Sequence, residues 1–161
     1  MADWKKNTVH EGEITGYTAE GMGVARLDGR VVFIPGTIAG ERWRFRLEKV
    51  NKTVAWGRGI EVLSPSPLRR KSDCPLFGRC GGCQFRHMRY SAELEAKRRR
   101  VEDALRRIGG VDLPVSEILG AENTLRYRNK VQLPVAPGPR IGFFRARSHD
   151  VVNVEDCLLQ P

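Results

Sequence analysis

Three cysteines crowded into one short segment, with a fourth far downstream, constrain this chain more than any other feature. Cys74, Cys80 and Cys83 follow a C-x5-C-x2-C spacing, and 73 residues separate the last of them from Cys157. Thiolates bind soft metals, and four of them complete either a tetrahedral zinc site or the four corners of an iron–sulfur cluster. Gly81 and Gly82, between two of the sulfurs, let a short loop wrap an inorganic core and turn N–H groups toward the sulfur. Three sequential ligands plus a remote one is the commoner pattern for iron–sulfur, since structural zinc favours two CxxC-type pairs. The spacing leaves three alternatives, in this order: a cluster, zinc, and disulfides or inert thiols.

The start of the chain, Met1 to Asn7, has no apolar core of the kind a secretion signal needs. Apolar runs such as Val31 to Ile34 are strand length, far short of a membrane span. The expectation is a cytoplasmic protein without a membrane partner, in a compartment where thiols stay reduced. The formal net charge of +9 is unevenly spread. Residues 1–62 carry 10 basic and 8 acidic side chains, whereas residues 63–161 carry 18 and 11. Residues 124–149 hold six basic side chains and no acidic one. A basic surface gathered in one part of a chain is the electrostatic footprint of a polyanion such as nucleic acid, or else an ordinary solvated face.

The pattern predicts a mainly β protein with one long helix, an α+β chain in two parts. Residues 8–63 read as short strands between glycine turns, including Thr8 to Ile14, Val31 to Ile34, and Arg42 to Leu47, where basic and apolar residues alternate. Such a series favours a small closed barrel, because closure removes unpaired strand edges. Trp43 and Phe45 fall on its inward face, while Trp4 and Trp56 lack a surrounding pattern that would mark them for base stacking. Ser64-Pro65-Ser66-Pro67 breaks the series and divides the chain into 1–66 and 67–161.

The second part opens on the basic run Arg69-Arg70-Lys71. Ser91 is a candidate N-cap for a helix over residues 91–108, and Gly109-Gly110 supplies its stop. Leu94, Val101, Leu105 and Ile108 form its apolar stripe, and Lys97 to Arg100 a basic face that could solvate or meet phosphate. Arg126 to Val135 alternates as a strand should. Ile141 to Arg145 and Val151 to Val154 are two more strands, the second delivering Cys157 just beyond its end. His87 and Tyr90 read as supports for the cysteine loop rather than as RNA contacts.

These residues carry a resemblance. The segment from Ser66-Pro67-Leu68-Arg69 through Cys74-Pro75-Leu76-Phe77-Gly78, Cys80-Gly81-Gly82-Cys83-Gln84, His87 and Tyr90 to Lys97 is similar to the iron–sulfur segment of the RNA (uracil-5-)-methyltransferases, the 23S rRNA type in particular. Tyr127-Arg128-Asn129-Lys130 and Ile141-Gly142-Phe143 resemble that family's central strands. Gly21 to Ala25 and Val32 to Gly36 resemble its N-terminal TRAM domain, an OB-like RNA-binding barrel. Leu158 departs from the proline the family often has after its fourth cysteine.

The resemblance implies that Cys74, Cys80, Cys83 and Cys157 ligate a [4Fe-4S] cluster with a structural, RNA-positioning role. It implies RNA as partner, rRNA ahead of tRNA, and with the charge pattern it makes Arg69, Arg70, Lys71, Arg126, Arg128 and Lys130 the candidate RNA contacts. It also implies that the helix packs on a C-terminal methyltransferase domain, which would hold S-adenosylmethionine. No glycine loop between a strand and a helix suits that cofactor here, and four cysteines assigned to a cluster leave no thiol to attack uracil C6. The expectation is an N-terminal portion cut before the catalytic half, with no catalytic residue of its own. A freestanding RNA-binding adaptor and a zinc-stabilised structural module are the alternatives.

Overall fold

The computed structural model describes residues 4–161, which form two compact units. The first comprises the chain up to Arg70 together with His87–Ile118; the second comprises Lys71–Arg86 and Leu119–Pro161. A division by sequence at residue 66 leaves the helix with the cysteines, whereas the packing places it in the barrel's unit.

In the first unit five strands close a barrel in the order β1-β2-β3-β5-β4. They are β1 (Val9–Tyr17), β2 (Gly23–Leu27), β3 (Arg30–Ile34), β4 (Arg42–Val50) and β5 (Val54–Ser64). The β3–β5 pairing is parallel, and the other four pairings are antiparallel. Alternation along each strand sends one side chain in two to the interior, where Ile14, Ala25, Val32, Ile34, Phe45, Leu47 and Ala55 are fully buried. Asp28 and Gly29, both at positive φ, make the two-residue turn that joins β2 to β3, a backbone shape that matches the strands' own twist. The barrel expected from the strand pattern is therefore present, and Phe45 faces inward as expected, with Trp43 packed partly against the core.

Helix α1 (Tyr90–Arg107) lies against β1, and the side chains it buries are small, Ala92 and Ala96. Its start differs from expectation. Arg89 occupies the N-cap in an extended conformation without a side-chain cap, and Ser91 sits inside the first turn. Gly110, at φ 65°, ends the helix as its position predicts, with the Val111 N–H returning to the Leu105 carbonyl at 3.0 Å. The predicted apolar stripe is mostly exposed, with Ile108 at 88% and Val101 at 49%. Most of the basic run is neutralised on the helix itself: Lys97 pairs with Glu93, Arg98 with Glu95 and Glu102, and Arg99 with Glu95.

In the second unit β6 (Val135–Ala136), β7 (Arg140–Phe144) and β8 (Val151–Asn153) form an antiparallel sheet in that order. The strand expected over residues 126–135 is confined to its last position. Arg126 has a positive φ, Pro134 has no N–H to donate, and most side chains between them are exposed on both faces, so the alternation buries nothing. Instead the Arg126 and Arg128 N–H groups each donate at 2.9 Å to the carbonyls of Leu158 and Leu159.

Candidate metal centre

The four cysteines separated by up to 83 positions meet in space. Within the second unit Cys74, Cys80, Cys83 and Cys157 line one pocket with apolar walls that include Phe77 and Phe143; Arg128 reaches the same pocket. All four are free, half-buried thiols. Between Cys74 and Cys80 the loop closes on itself, the Phe77 N–H donating to the Cys74 carbonyl at 3.2 Å and the Cys80 N–H to that of Leu76 at 2.9 Å. The next turn is docked on β7: the Gly81 N–H donates to the Phe144 carbonyl at 2.9 Å. A Cβ on Gly81 would stand 2.9 Å from that same oxygen, so only glycine allows the approach. The Gly82 N–H donates to Cys80 Sγ at 3.4 Å, the contact expected of a loop that stabilises thiolate charge.

Cys157 is held from its own side. The Arg126 guanidinium pairs with Asp156 at 2.6 Å and donates to the Cys157 and Gln160 carbonyls, each at 3.0 Å. Burial pushes the Cys80 thiol up, as do Cys74 and Cys157 nearby, against the lowering effect of the Gly82 N–H. Burial likewise raises Cys83, with Arg86 opposing and the other three cysteines adding to the rise. Thiols that repel one another as anions are stable together only when protonated or when a cation replaces the protons. Among the described residues, no three His, Cys, Asp or Glu side chains gather tightly enough to hold a single metal ion. The sulfurs are arranged around a pocket instead.

The basic residues singled out from the sequence separate into two groups. Arg69 is committed within the first unit: its guanidinium grips the fully buried Glu41 at 2.5 and 2.6 Å, donates to the Gly36 carbonyl at 2.9 Å and lies 5.1 Å from the Trp43 ring centroid. Arg126 is committed to the Cys157 loop, and Arg128 is half-buried at the cysteine pocket. Arg70, Lys71 and Lys130 are exposed. His87 is buried and donates through Nε2 to the Thr37 carbonyl at 3.1 Å, a supporting role in the barrel's unit.

Glu41 is the residue that sequence reasoning missed. Burial by itself raises its carboxyl pKa, but hydrogen bonds from Arg69, the Trp43 indole and the Ser66 and Ile38 N–H groups outweigh that and hold it below the ordinary glutamate range. It ties the chain leaving the barrel back onto the barrel. Its only linear signal is an acid flanked by glycine and a strand, which is indistinguishable from a turn residue.

Residues 4–59 match the TRAM domain, so the barrel is an N-terminal TRAM domain. Over nearly its whole length, barrel included, the chain is 41% identical over 159 residues to a Clostridium tetani protein described as an uncharacterized RNA methyltransferase, covering 97% of this chain and 35% of that protein. A Halalkalibacterium halodurans protein described in the same way is 40% identical over 164 residues, covering 99% of this chain and 36% of the relative. Among solved structures, the Pyrococcus abyssi tRNA (uracil-54, C5)-methyltransferase, in complex with S-adenosyl-L-homocysteine, superposes with a TM-score of 0.58 at 25% identity, over 92% of this chain and 32% of that one. The chain thus fits as a segment of the RNA methyltransferase family and spans about a third of the length of the curated relatives it matches. Among the described residues no helix is long and apolar enough to cross a membrane.

Proposed function

We propose that this chain is the RNA-binding, [4Fe-4S]-bearing portion of an S-adenosylmethionine-dependent RNA uracil-C5 methyltransferase, acting in the cytoplasm with rRNA as substrate. The observation that carries the cluster half is the convergence of all four cysteines on one apolar-walled pocket in a chain matched almost end to end by RNA methyltransferases. Four thiols spread around a pocket suit a cluster, in which each iron takes one thiolate, better than a zinc ion, which needs its ligands around a single point about 2.3 Å away. When bound, the cluster would supply a covalent cross-link between the cysteine loop and the last strand. Cys74, Cys80, Cys83 and Cys157 would hold it, the Gly82 N–H would offset charge on Cys80, and Arg126 would orient the Cys157 loop. Arg128, at the pocket, would balance thiolate charge rather than meet RNA. Arg70, Lys71 and Lys130 are exposed and are the phosphate contacts of this reading.

Cofactor binding and the attack on uracil are assigned to a methyltransferase domain outside residues 1–161, toward which the exposed stripe of α1 would pack. The test has two arms. Anaerobically purified protein should carry about four irons and four sulfides per chain, and stoichiometric zinc without iron would overturn the cluster. RNA affinity should fall linearly with salt on a log–log plot, with a slope of roughly −0.7 per phosphate contact on single strands. An rRNA fragment and a tRNA compared at one salt concentration decide the substrate; a clear preference for tRNA, the substrate class of the solved relative, would overturn the rRNA assignment.

A further inference from the structure

The outer face of the barrel carries a row of side chains that a linear reading does not connect. Phe33 on β3, Trp56 on β5 and Lys49 on β4 are consecutive partners across three strands. The Phe33 and Trp56 ring centroids are 5.8 Å apart, and the Lys49 ammonium stands 4.9 Å from the Trp56 ring centroid. Both rings are half-buried on the side opposite the core, whose neighbouring residues Val32 and Ala55 point inward. Two residues further along β5, on the same face, Arg58 stands directly across from Arg46 on β4, and both are exposed.

That second pairing costs stability, because like charges directly opposite one another in a sheet repel. Elsewhere on this barrel the cost is avoided. Arg44 is paired with Glu61 across the strands and with Glu11 on β1 at 2.9 Å, and Arg42 also reaches Glu11. No ion pair joins Arg46, Arg58 or Lys49 to an acid among the described residues. One sector of the surface is therefore internally neutralised, and the adjoining one combines uncompensated cations with two aromatic rings. A polyanion that also presents flat, apolar faces satisfies both features at once, and single-stranded nucleic acid has this chemistry: bases stack on rings while phosphates meet cations.

We propose that the β3–β5–β4 face is a single-stranded RNA site in which a base stacks on Trp56 and Phe33 and the backbone is neutralised by Lys49, Arg46 and Arg58. It rests on the RNA-binding reading above and places a base-stacking contact that the basic residues of that reading do not supply. The measurement is titration of the intact chain with a short fluorescent oligouridylate and with an abasic ribose-phosphate oligomer of equal length. Trp56→Phe keeps a ring, and Trp56→Leu keeps apolar bulk without one. Trp56→Leu should weaken oligouridylate binding by about tenfold, Trp56→Phe by much less, and neither should alter binding of the abasic oligomer. Oligouridylate should also quench tryptophan emission in the parent chain, and less so in Trp56→Phe, a readout that does not depend on the leucine variant folding. Equal affinity of the parent for both oligomers, or Trp56→Leu binding as the parent does, overturns the stacking site and leaves RNA binding standing. Failure of the parent to bind any RNA at low salt overturns both.

Discussion

Seven fully buried apolar side chains drawn from all five strands fill the barrel, whereas the cysteine unit buries only Val151, Val152 and Leu159 among its large apolar residues. Its three strands are short, one of them two residues long, and much of the rest is turns. A barrel of this kind is held by area removed from water, which any ordinary buffer supplies. A unit with so small a core gains most from a cross-link, and the cluster proposed for the four thiols would supply one. On the proposed reading, the difference teaches that two parts of one chain can depend on unrelated conditions: one on packing, the other on metal and redox state.

The widest separation of the two should come from Cys157→Ser. If Cys157 holds the proposed cluster, its loss opens the link between the cysteine loop and the last strand, and the iron content should fall to a small fraction of the parent's. Limited proteolysis should then cut within residues 119–161 while leaving the barrel intact. Chelation or air oxidation of the parent should give the same cleavage pattern. Equal protease resistance in variant and parent would mean that the second unit stands on its own three-residue core, and its contrast with the barrel would collapse.

The opposite break is Arg69→Ala. It removes the guanidinium that two oxygens of Glu41 share and leaves a carboxylate buried without its counter-charge. Stranding one member of a buried pair costs about 3–5 kcal/mol, enough to lower the barrel's denaturant midpoint clearly. Iron content should be unchanged. Were Arg69 a phosphate contact instead, the variant would keep its stability and lose salt-dependent RNA affinity.

How far each region was legible follows from the same contrast. The barrel announced itself because strand alternation reports burial locally, residue by residue, and Ile14, Val32 and Phe45 stand where the pattern puts them. The cysteine spacing predicted that the four would lie together, and they line one pocket. What sequence could not show is where a charge goes. Arg69 and Arg126 look like nucleic-acid contacts in a basic stretch, yet their partners, Glu41 and the Cys157 loop, lie 28 and 31 positions away. The alternation over residues 126–134 was misleading for a related reason: a period of two marks a strand only when one side is buried, and here both are exposed. Trp56 was passed over because its neighbours Phe33 and Lys49 belong to other strands, and register is invisible in a single line of residues.

The smallest effect, and the finest probe of the barrel, is acid titration of Glu41. Its folded-state pKa lies below the ordinary value of 4.5, so folding favours the ionised form. The stability it contributes is complete above that ordinary value and is lost as pH falls through the depressed folded-state pKa. Protonation removes the charge but leaves the carboxyl in place to keep some of its hydrogen bonds, so the loss should be smaller than that caused by Arg69→Ala. Denaturant midpoints of the barrel measured from pH 6 down to pH 3 should decline below about pH 4.5 in the parent. In Glu41→Gln that component should be absent, the remaining slope coming from exposed acids such as Glu95, which Arg98 and Arg99 hold at about 2. A decline of equal steepness in Glu41→Gln would assign the acid sensitivity to the surface pairs and not to the buried one.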